Sequence, residues 1–222
     1  MRIVITKDLL NKLPHFDIVA YTMDVDVEQG QNTYKKIIEY EQFIKEEYSL
    51  EDILNIPLIK EARDGYKRLG KDPSRYRLAV ESLLRRLVKG FGLTSISNVV
   101  DVGNLLSIRL LRSTAILDAK KIIGDIKIRI GNSCDKYEGI GRGRLNVTNI
   151  PVYEDEVSPF GSTTSDTLRT AISEDSTTIL VMVICFDTPL SYDEKQIIQT
   201  MYQEFAKASN IKEVPVIKEE RK

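Results

Sequence analysis

The segment SPFGSTTSDTLRTAI, residues 158–172, brings together many small side chains that can form hydrogen bonds. Seven of its fifteen side chains carry hydroxyl groups, and one acid, Asp166, and one base, Arg169, lie among them. An apolar strand is predicted directly after it, over residues 179–186. Either these groups face a ligand, or the segment is a turn rich in Ser and Thr. In the second case Asp166 caps a following turn and Arg169 pairs with a nearby acid.

The histidine and cysteine content excludes several kinds of catalytic site. Ser-His-Asp and Cys-His hydrolases use an imidazole as general base, and His15, which follows Pro14, is the only histidine. A structural role for His15 is favoured. Cys134 and Cys185 are fifty-one positions apart and have no neighbours with metal-ligand spacing. We therefore expect two free thiols, no metal site and no cofactor.

Composition indicates a soluble globular protein. The 222 residues are 42% apolar and 29% charged, which is ordinary for a folded domain. Thirty-two basic and thirty-three acidic side chains give a net charge of −1, so a nucleic acid would have to bind to a local basic patch. No signal peptide or membrane-spanning run of roughly 18 to 20 apolar residues is visible. The predicted location is the cytoplasm, without membrane contact.

One such basic patch is predicted on a helix in KDPSRYRLAVESLLRRLVKG, residues 71–90. Asp72 is suited to be the N-cap, Pro73 to occupy the first helical position, and Gly90 to follow the last turn. At 100° per residue, apolar side chains share one face and cations gather on the opposite one. This face is either an ordinary solvated surface or a stripe that contacts phosphates. Its cations are Arg75, Arg85, Arg86 and Lys89.

A second helix is predicted over residues 98–111, NVVDVGNLLSIRLL, and is apolar on nearly every side. Such a helix is typically buried. Asn104 falls in the same stripe as apolar residues, so its amide is expected to be buried and to need partners, from the protein or from a ligand. Asp101 lies in the first turn, where a carboxylate usually binds backbone NH groups.

The remaining pattern predicts one α+β domain over residues 1–222, with a helical insertion at residues 31–112 between strands. Helices are expected at 31–48, from the Ser49 and Asp52 capping pair to Gly70 with an interruption or restart at Pro57, and from the Ser191 and Glu194 capping box to about residue 208. The GIGRGR segment, residues 139–144, favours a hairpin turn over a phosphate-binding loop. The last dozen residues are expected to be frayed.

Three segments taken together resemble a known family. They are residues 71–90, the run NVVDVGNLL, and the stretch from LDAKKI to SDTLRT. Their order and approximate spacing are similar to those of the tRNA-binding editing domain, the B3 and B4 domains, of the bacterial phenylalanyl-tRNA synthetase β subunit. The similarity is closer to stand-alone proteins made of that domain, and covers roughly residues 10–205. It implies a mixed α/β domain with a pocket for the aminoacyl end of a tRNA, where the synthetase hydrolyses wrongly attached tyrosine.

The resemblance also assigns individual positions. Asn104 matches the pocket asparagine, Gly103 stands where the synthetase usually has threonine, and Ala115 stands where it has a pocket histidine. The replacement at Gly103 implies a larger pocket. PFGSTTSD replaces a glycine-rich segment that carries a pocket glutamate. The side chains expected to form this pocket wall, facing an amino acid or the terminal ribose, are Ser162, Thr163, Ser165 and Asp166.

Two functions are consistent with this resemblance. The first is a free-standing trans-editing hydrolase that cleaves the ester of mischarged tRNA. In it, Asp118 or Asp166 would orient a water molecule and Asn104 would polarise the carbonyl. The second is a non-catalytic module that binds a tRNA end or an amino-acid-like ligand, which the absence of the histidine favours. A ligand sensor without an RNA role is a third possibility. The chain has no ATP motifs of a synthetase, so it should not aminoacylate tRNA.

Overall fold

Two large β-sheets, a small hairpin and a layer of helices make up residues 1–220, the part of the chain that the computed structural model describes. In chain order the strands are β1 (Ile3–Ile5), β2 (Asp17–Asp24), β3 (Thr114–Asp118), β4 (Ile126–Ile130), β5 (Glu138–Gly139), β6 (Gly143–Arg144), β7 (Pro151–Glu154), β8 (Pro159–Ser162), β9 (Thr178–Cys185), β10 (Ser209–Glu213) and β11 (Val216–Lys218). The helices are α1 (Lys7–Lys12), α2 (Gln31–Glu47), α3 (Asp52–Asn55), α4 (Pro57–Leu69), α5 (Ala79–Val88), α6 (Asn98–Leu110) and α7 (Tyr192–Ala206). The α+β class is confirmed, and α2 to α6 form the predicted helical insertion between β2 and β3.

The first sheet is mixed and has the order β11-β1-β4-β7-β8. Strands β11, β1 and β4 are parallel to one another, whereas β7 pairs antiparallel with β4 and β8 pairs antiparallel with β7. Strand β8 lies at the edge of this sheet and is the first part of the hydroxyl-rich segment. The edge position leaves room for other elements to cover that segment.

The second sheet is antiparallel, with the order β10-β2-β9-β3. Strand β9 is buried along its whole length except at Thr178, which explains its continuous apolar sequence. Helix α6 packs mainly against α2, α7 and β3. A helix covered on several sides cannot be amphipathic, so the nearly uniform apolarity of α6 follows from its position.

Local signals place most helix ends where the sequence predicts them. Ser49 and Asp52 bond reciprocally before α3, with N···O distances of 2.8 and 3.2 Å. Ser191 and Glu194 form the same capping box at α7. Gly70 ends α4 with a φ of 85°, a left-handed conformation that glycine adopts without strain.

The basic helix is shorter than predicted. Helix α5 begins at Ala79, and Asp72 instead closes a separate turn by accepting the N–H of Ser74 through its side chain. The Ala79 N–H donates to the Thr163 carbonyl at 3.0 Å. Thr163 lies 84 positions further along the chain, in the hydroxyl-rich segment, so no local pattern encodes this contact. The end of the helix is as expected, because Gly90 has a φ of 75°.

The prediction that the last dozen residues are frayed is wrong for residues 211–220, and residues 221 and 222 lie outside the described part of the chain. Strand β10 pairs with β2, and β11 pairs with β1. Main-chain bonds continue this pairing, including one of 2.9 Å from the Ile3 N–H to the Pro215 carbonyl. Both are edge strands whose side chains are mostly exposed, so their sequence lacks the apolar alternation of a core strand.

No helix in residues 1–220 is both long and apolar enough to cross a bilayer. Over the same residues, no group of three or more His, Cys, Asp or Glu side chains is placed to bind a metal ion.

Candidate ligand-binding site around Asp166

Ser162, at the end of β8, folds the hydroxyl-rich segment into a tight turn. Its Oγ accepts the N–H groups of Thr164 and Ser165, at 3.3 and 3.2 Å, and donates to the Ser165 carbonyl at 2.8 Å. This is the turn rich in Ser and Thr that the sequence allowed as one alternative. The hydroxyl of Ser162 is therefore engaged in shaping the loop.

The hydroxyls of Thr163 and Thr164 are also satisfied inside the protein. Both lie within hydrogen-bond distance of the Tyr66 hydroxyl, at 2.5 and 2.8 Å, and all three residues are buried. Burial raises the pKa of Tyr66 to about 12, against the opposing effect of the two threonine hydroxyls, so the phenol stays protonated at neutral pH. These contacts attach the loop to α4.

The hairpin of β5 and β6 covers the other side of the loop. The Tyr137 hydroxyl donates to the Ser165 carbonyl at 2.5 Å, and the Ile140 N–H donates to the Asp166 carbonyl at 2.9 Å. Gly139 lies close above Ser165, since a Cβ at this glycine would be 3.1 Å from the serine Oγ. The hairpin thus forms a lid over residues 165–166.

Five buried polar atoms between residues 153 and 170 have no partner among the described residues, and two of them lie next to Gly161. One is Oδ1 of Asp166, and the other is the hydroxyl of Tyr153, a residue with 0% exposure. Gly161 lies between them: a Cβ at this position would be 2.8 Å from Oδ1 and 2.5 Å from the Tyr153 ring. Unsatisfied buried groups each cost about 1 to 3 kcal/mol, so such a pair is typical of a functional site.

The surroundings of Asp166 favour its protonated form. Burial raises the pKa of Asp166 to about 7, with only partial compensation from the Ser162 backbone. The residue as a whole is partly exposed, whereas its Oδ1 is enclosed. Burial first, and then the charge of Asp166, raises the pKa of Tyr153 well above its ordinary value. A carboxyl that titrates near neutrality therefore lies near a phenol that remains a hydrogen-bond donor.

Arg169 has the structural role that the sequence allowed. Its guanidinium forms an ion pair with the buried Asp155 carboxylate at 2.7 Å and donates to the Lys121 carbonyl at 3.1 Å. Asp166, by contrast, caps nothing: the short 3-10 turn at Leu168–Thr170 has no side-chain cap. The unpaired state of the Asp166 Oδ1 thus has no structural explanation within the loop.

An open groove of about 720 Å³ adjoins this buried cluster. It lies between the β5–β6 hairpin and residues 158–169, and shares Tyr137 and Thr167 with the surroundings of Asp166. The Thr167 hydroxyl is buried and also without a partner among the described residues. Asp166 and Tyr153 themselves are not among the residues that line the groove.

The positions assigned on α6 do not share this site. Asn104 is only partly buried, and no hydrogen bond or ion pair among the described residues joins it to residues 161–166. The prediction of a larger pocket at Gly103 is wrong, because a Cβ at this position would collide with the Ile116 side chain. Since successive strand residues point to opposite faces, Ala115 faces away from α6. Gly103 and Ala115 therefore do not line one pocket.

Asp118 is held in a structural arrangement. Its carboxylate accepts the Lys120 N–H at 2.9 Å and the Ser176 hydroxyl at 2.7 Å, and Lys121 lies 3.7 Å away. Both oxygens are thus in use, one of them at the start of a 3-10 turn. This carboxylate is less available to a water or substrate than that of Asp166.

Three of the four predicted RNA-binding cations remain on one helix. Arg85 is partly exposed and Arg86 and Lys89 are exposed on the last turns of α5 and just beyond it. Arg86 also donates from Nε to the Gly92 carbonyl at 2.5 Å. Arg75 lies in the preceding turn, near Asp72 at 3.7 Å, and not on the helix.

Sequence reasoning missed the three tyrosines of the cluster. Tyr66 comes from α4, Tyr137 from the residue before β5, and Tyr153 from β7. Apolar periodicity assigns each to a core face without indicating that their hydroxyls converge. The available signal is that Tyr137 and Tyr153 lie within a segment that carries the family resemblance.

Comparisons with known proteins match most of the chain. A family model described as the B3/4 domain matches residues 61–211, a range that contains the whole Asp166 cluster. A similar solved structure is an N-terminal fragment of the phenylalanyl-tRNA synthetase β subunit from Pyrococcus horikoshii, with 10% identity and a TM-score of 0.52. The match covers 98% of this chain and 52% of that one, so this chain spans about half its length. At this identity the likeness shows the fold. No curated protein matches the sequence.

Proposed function

Because the chain belongs to the B3/4 domain family, we propose that it binds the aminoacyl end of tRNA and hydrolyses mischarged aminoacyl-tRNA as a free-standing enzyme. The observation that carries the proposal is the pair of unpartnered buried atoms, Asp166 Oδ1 and the Tyr153 hydroxyl. An ester carbonyl and an attacking water supply the donor and acceptor groups that these two atoms lack. The fold of a synthetase fragment supports the same substrate class.

The proposed reaction is a simple hydrolysis. Ionised Asp166 accepts a proton from water as the water oxygen bonds to the ester carbon. The Tyr153 hydroxyl donates a hydrogen bond to the carbonyl oxygen, where negative charge develops. The bond from carbon to the ribose oxygen then breaks, and the ribose oxygen takes the proton from Asp166. A pKa near 7 suits both transfers, because the group is neither always protonated nor too weak a base.

The test is single-turnover deacylation over a panel of correctly and incorrectly charged tRNAs. We expect at least one mischarged pair to be hydrolysed. Asp166→Asn should lower that rate by about 10²-fold or more, within the usual contribution of general base catalysis. Tyr153→Phe should lower the rate with little change in tRNA affinity. The matched control is Asp175→Asn, which removes an exposed carboxylate nine residues further along the chain. An Asp166→Asn enzyme that keeps its rate would contradict the mechanism.

A second candidate function is binding without chemistry. It is favoured by the lid, since Tyr137 and Ile140 both bond to the loop main chain directly over Asp166. The exposed position of His15 leaves no imidazole in the cluster. Under this alternative, no charged tRNA is hydrolysed, but charged tRNA binds more tightly than uncharged tRNA. Asp166→Asn would then remove that preference.

A further inference from the structure

The Asp166 Oδ1 is buried between two strands of the first sheet and the β5–β6 hairpin. On the sheet side are Gly161 and Tyr153, which are both buried and belong to β8 and β7. On the other side, the Ile140 N–H of the hairpin donates to the Asp166 carbonyl at 2.9 Å. Burial first, and then the charge of Asp166, raises the pKa of Tyr137, so this side chain also lies near the carboxyl. Both strands pack in the protein core, so the hairpin is the side that can open.

The chain is firmly held before and after the hairpin. Before it, the Asp135 carboxylate accepts two hydrogen bonds from the Arg129 guanidinium, at 2.8 and 3.0 Å. After it, the buried Lys71 ammonium donates to the Asn146 carbonyl at 2.8 Å. Residues 136–145, the gate, are therefore a segment with two anchored ends.

The tip of the gate makes little contact with the rest of the protein. Residues 140–144 are all exposed. A Cβ at Gly141 or at Gly143 would have no atom of the described residues within 4 Å. The Arg142 guanidinium lies 3.5 Å from the Ser82 hydroxyl, which is a long contact. Parts of a protein with few buried contacts open at a low cost in free energy.

Among the described residues, two hydrogen bonds join the gate to the loop beneath it. They are the bond of the Tyr137 hydroxyl to the Ser165 carbonyl, at 2.5 Å, and the bond of the Ile140 N–H to Asp166. Both end on main-chain carbonyls, so neither of them engages the Asp166 carboxyl. Tyr137 is 2% exposed, so its side chain has to leave a buried position when the gate opens.

We propose that the gate controls access to Asp166: its closed state encloses Oδ1, and it swings away about its anchored ends to admit a ligand. The proposal rests on the proposed function, because the aminoacyl ester is the ligand that has to reach this carboxyl. It adds to that function a conformational step before the chemistry. Closure of such a segment also keeps bulk water away from a reacting group.

A disulfide can lock the gate, because Gly139 lies directly over Ser165. A Cβ at Gly139 would be 3.3 Å from the Ser165 Cβ, close to the roughly 3.8 Å that is typical of disulfides. The variant combines Gly139→Cys and Ser165→Cys with Cys134→Ser, which removes the exposed native thiol. Its oxidised form is locked, and the same protein reduced with dithiothreitol is the matched control.

Access to Asp166 is measured by carbodiimide coupling of glycinamide to the carboxyl groups, followed by peptide mass analysis. Coupling at Asp166 is divided by coupling at the exposed Asp175 in the same sample. Oxidation of the variant should lower this ratio at least about tenfold, and reduction should restore it. Hydrogen exchange of the Ile140 amide should slow in the oxidised form, because its bond to Asp166 no longer opens.

Tyr137→Phe tests the gate without a new covalent bond. Loss of one hydrogen bond to the loop should raise the exchange rate of the Ile140 amide roughly 2- to 10-fold. The control is Tyr192→Phe, which removes the hydroxyl of an exposed tyrosine and should leave this rate unchanged.

Two results would overturn the proposal. One is a ratio of Asp166 to Asp175 coupling that is the same in the oxidised and reduced variant. The other is an Ile140 exchange rate that neither the disulfide nor Tyr137→Phe changes. Neither measurement contains RNA, so both are independent of deacylation. A protein whose Asp166 coupling depends on the gate but which hydrolyses no charged tRNA would refute the catalytic proposal alone.

Discussion

Replacing Asp166 with asparagine should remove the part of the pH dependence of the unfolding free energy that comes from this carboxyl. A carboxyl pKa of about 7 in the folded protein lies well above the value of about 3.9 in an unfolded chain. Ionising this carboxyl is therefore roughly 4 kcal/mol less favourable in the folded state, a value that partial exposure of the residue makes an upper limit. The stabilising effect of protonated Asp166 is complete below pH 4 and is lost as the pH rises to 7.

The assay is urea unfolding of the wild type and Asp166→Asn from pH 4 to pH 8. The difference in unfolding free energy, variant minus wild type, should grow by roughly 2 to 4 kcal/mol in favour of the variant over this range. Taking the difference cancels the titration of other carboxyls. A difference that is constant with pH would refute the assignment of Asp166 as a buried carboxyl whose Oδ1 has no partner.

Asp155 serves as a control because its pKa is shifted in the direction opposite to that of Asp166. Burial alone would raise its pKa, but hydrogen bonds from the Ile123 N–H, the Arg169 side chain and neighbouring N–H groups outweigh this effect, and the pKa is lowered. Its stabilising contribution is present above pH 4 and is lost at lower pH. Asp155→Asn should accordingly be destabilised at pH 7, and its deficit should shrink as the pH falls below 4.

Other substitutions test the packing around the assigned positions. Gly103→Ala should lower the unfolding free energy by roughly 1 to 3 kcal/mol, because its Cβ collides with Ile116. Adding Ile116→Val should recover part of the loss, and full stability of Gly103→Ala alone would show that the space is open. Asp118→Ala should lower the unfolding free energy by roughly 1 to 3 kcal/mol, because the Lys120 N–H and the Ser176 hydroxyl lose their acceptor. An unchanged denaturation midpoint would argue against the structural role of Asp118. A thiol reagent should modify exposed Cys134 in the native protein and Cys185 only after unfolding, since burial raises the pKa of Cys185; equal reaction rates would contradict this packing.

The extent to which sequence determines this structure depends on the range of the interactions. Capping residues such as Ser49 and Ser191, and the glycine at position 70, act within one turn, so the helix ends they set were predicted. The start of α5 was not, because it is fixed by the bond from Ala79 to Thr163. Strands β10 and β11 were missed because their stability comes from pairing with a sheet edge and not from an apolar face.

The same distinction between local and long-range interactions applies to the candidate site. The sequence identified Asp166 because it lies in a dense hydroxyl-rich segment, but most of those hydroxyls shape the turn or bond to Tyr66. What makes Asp166 unusual is the convergence of a glycine at position 161 and a tyrosine at position 153 from the adjacent strand β7. That convergence is a property of strand register, which the sequence pattern does not contain.

The most direct test of the central claim is the titration of the Asp166 carboxyl by ¹³C NMR, with and without a non-hydrolysable 3′-aminoacylamido-adenosine. Without ligand the resonance should titrate near pH 7. With ligand bound, contact with the positively charged amino group or a polarised water should move the midpoint down by at least about one pH unit. A midpoint that does not change at saturating ligand would show that the aminoacyl group binds elsewhere, and the account of this site would fail.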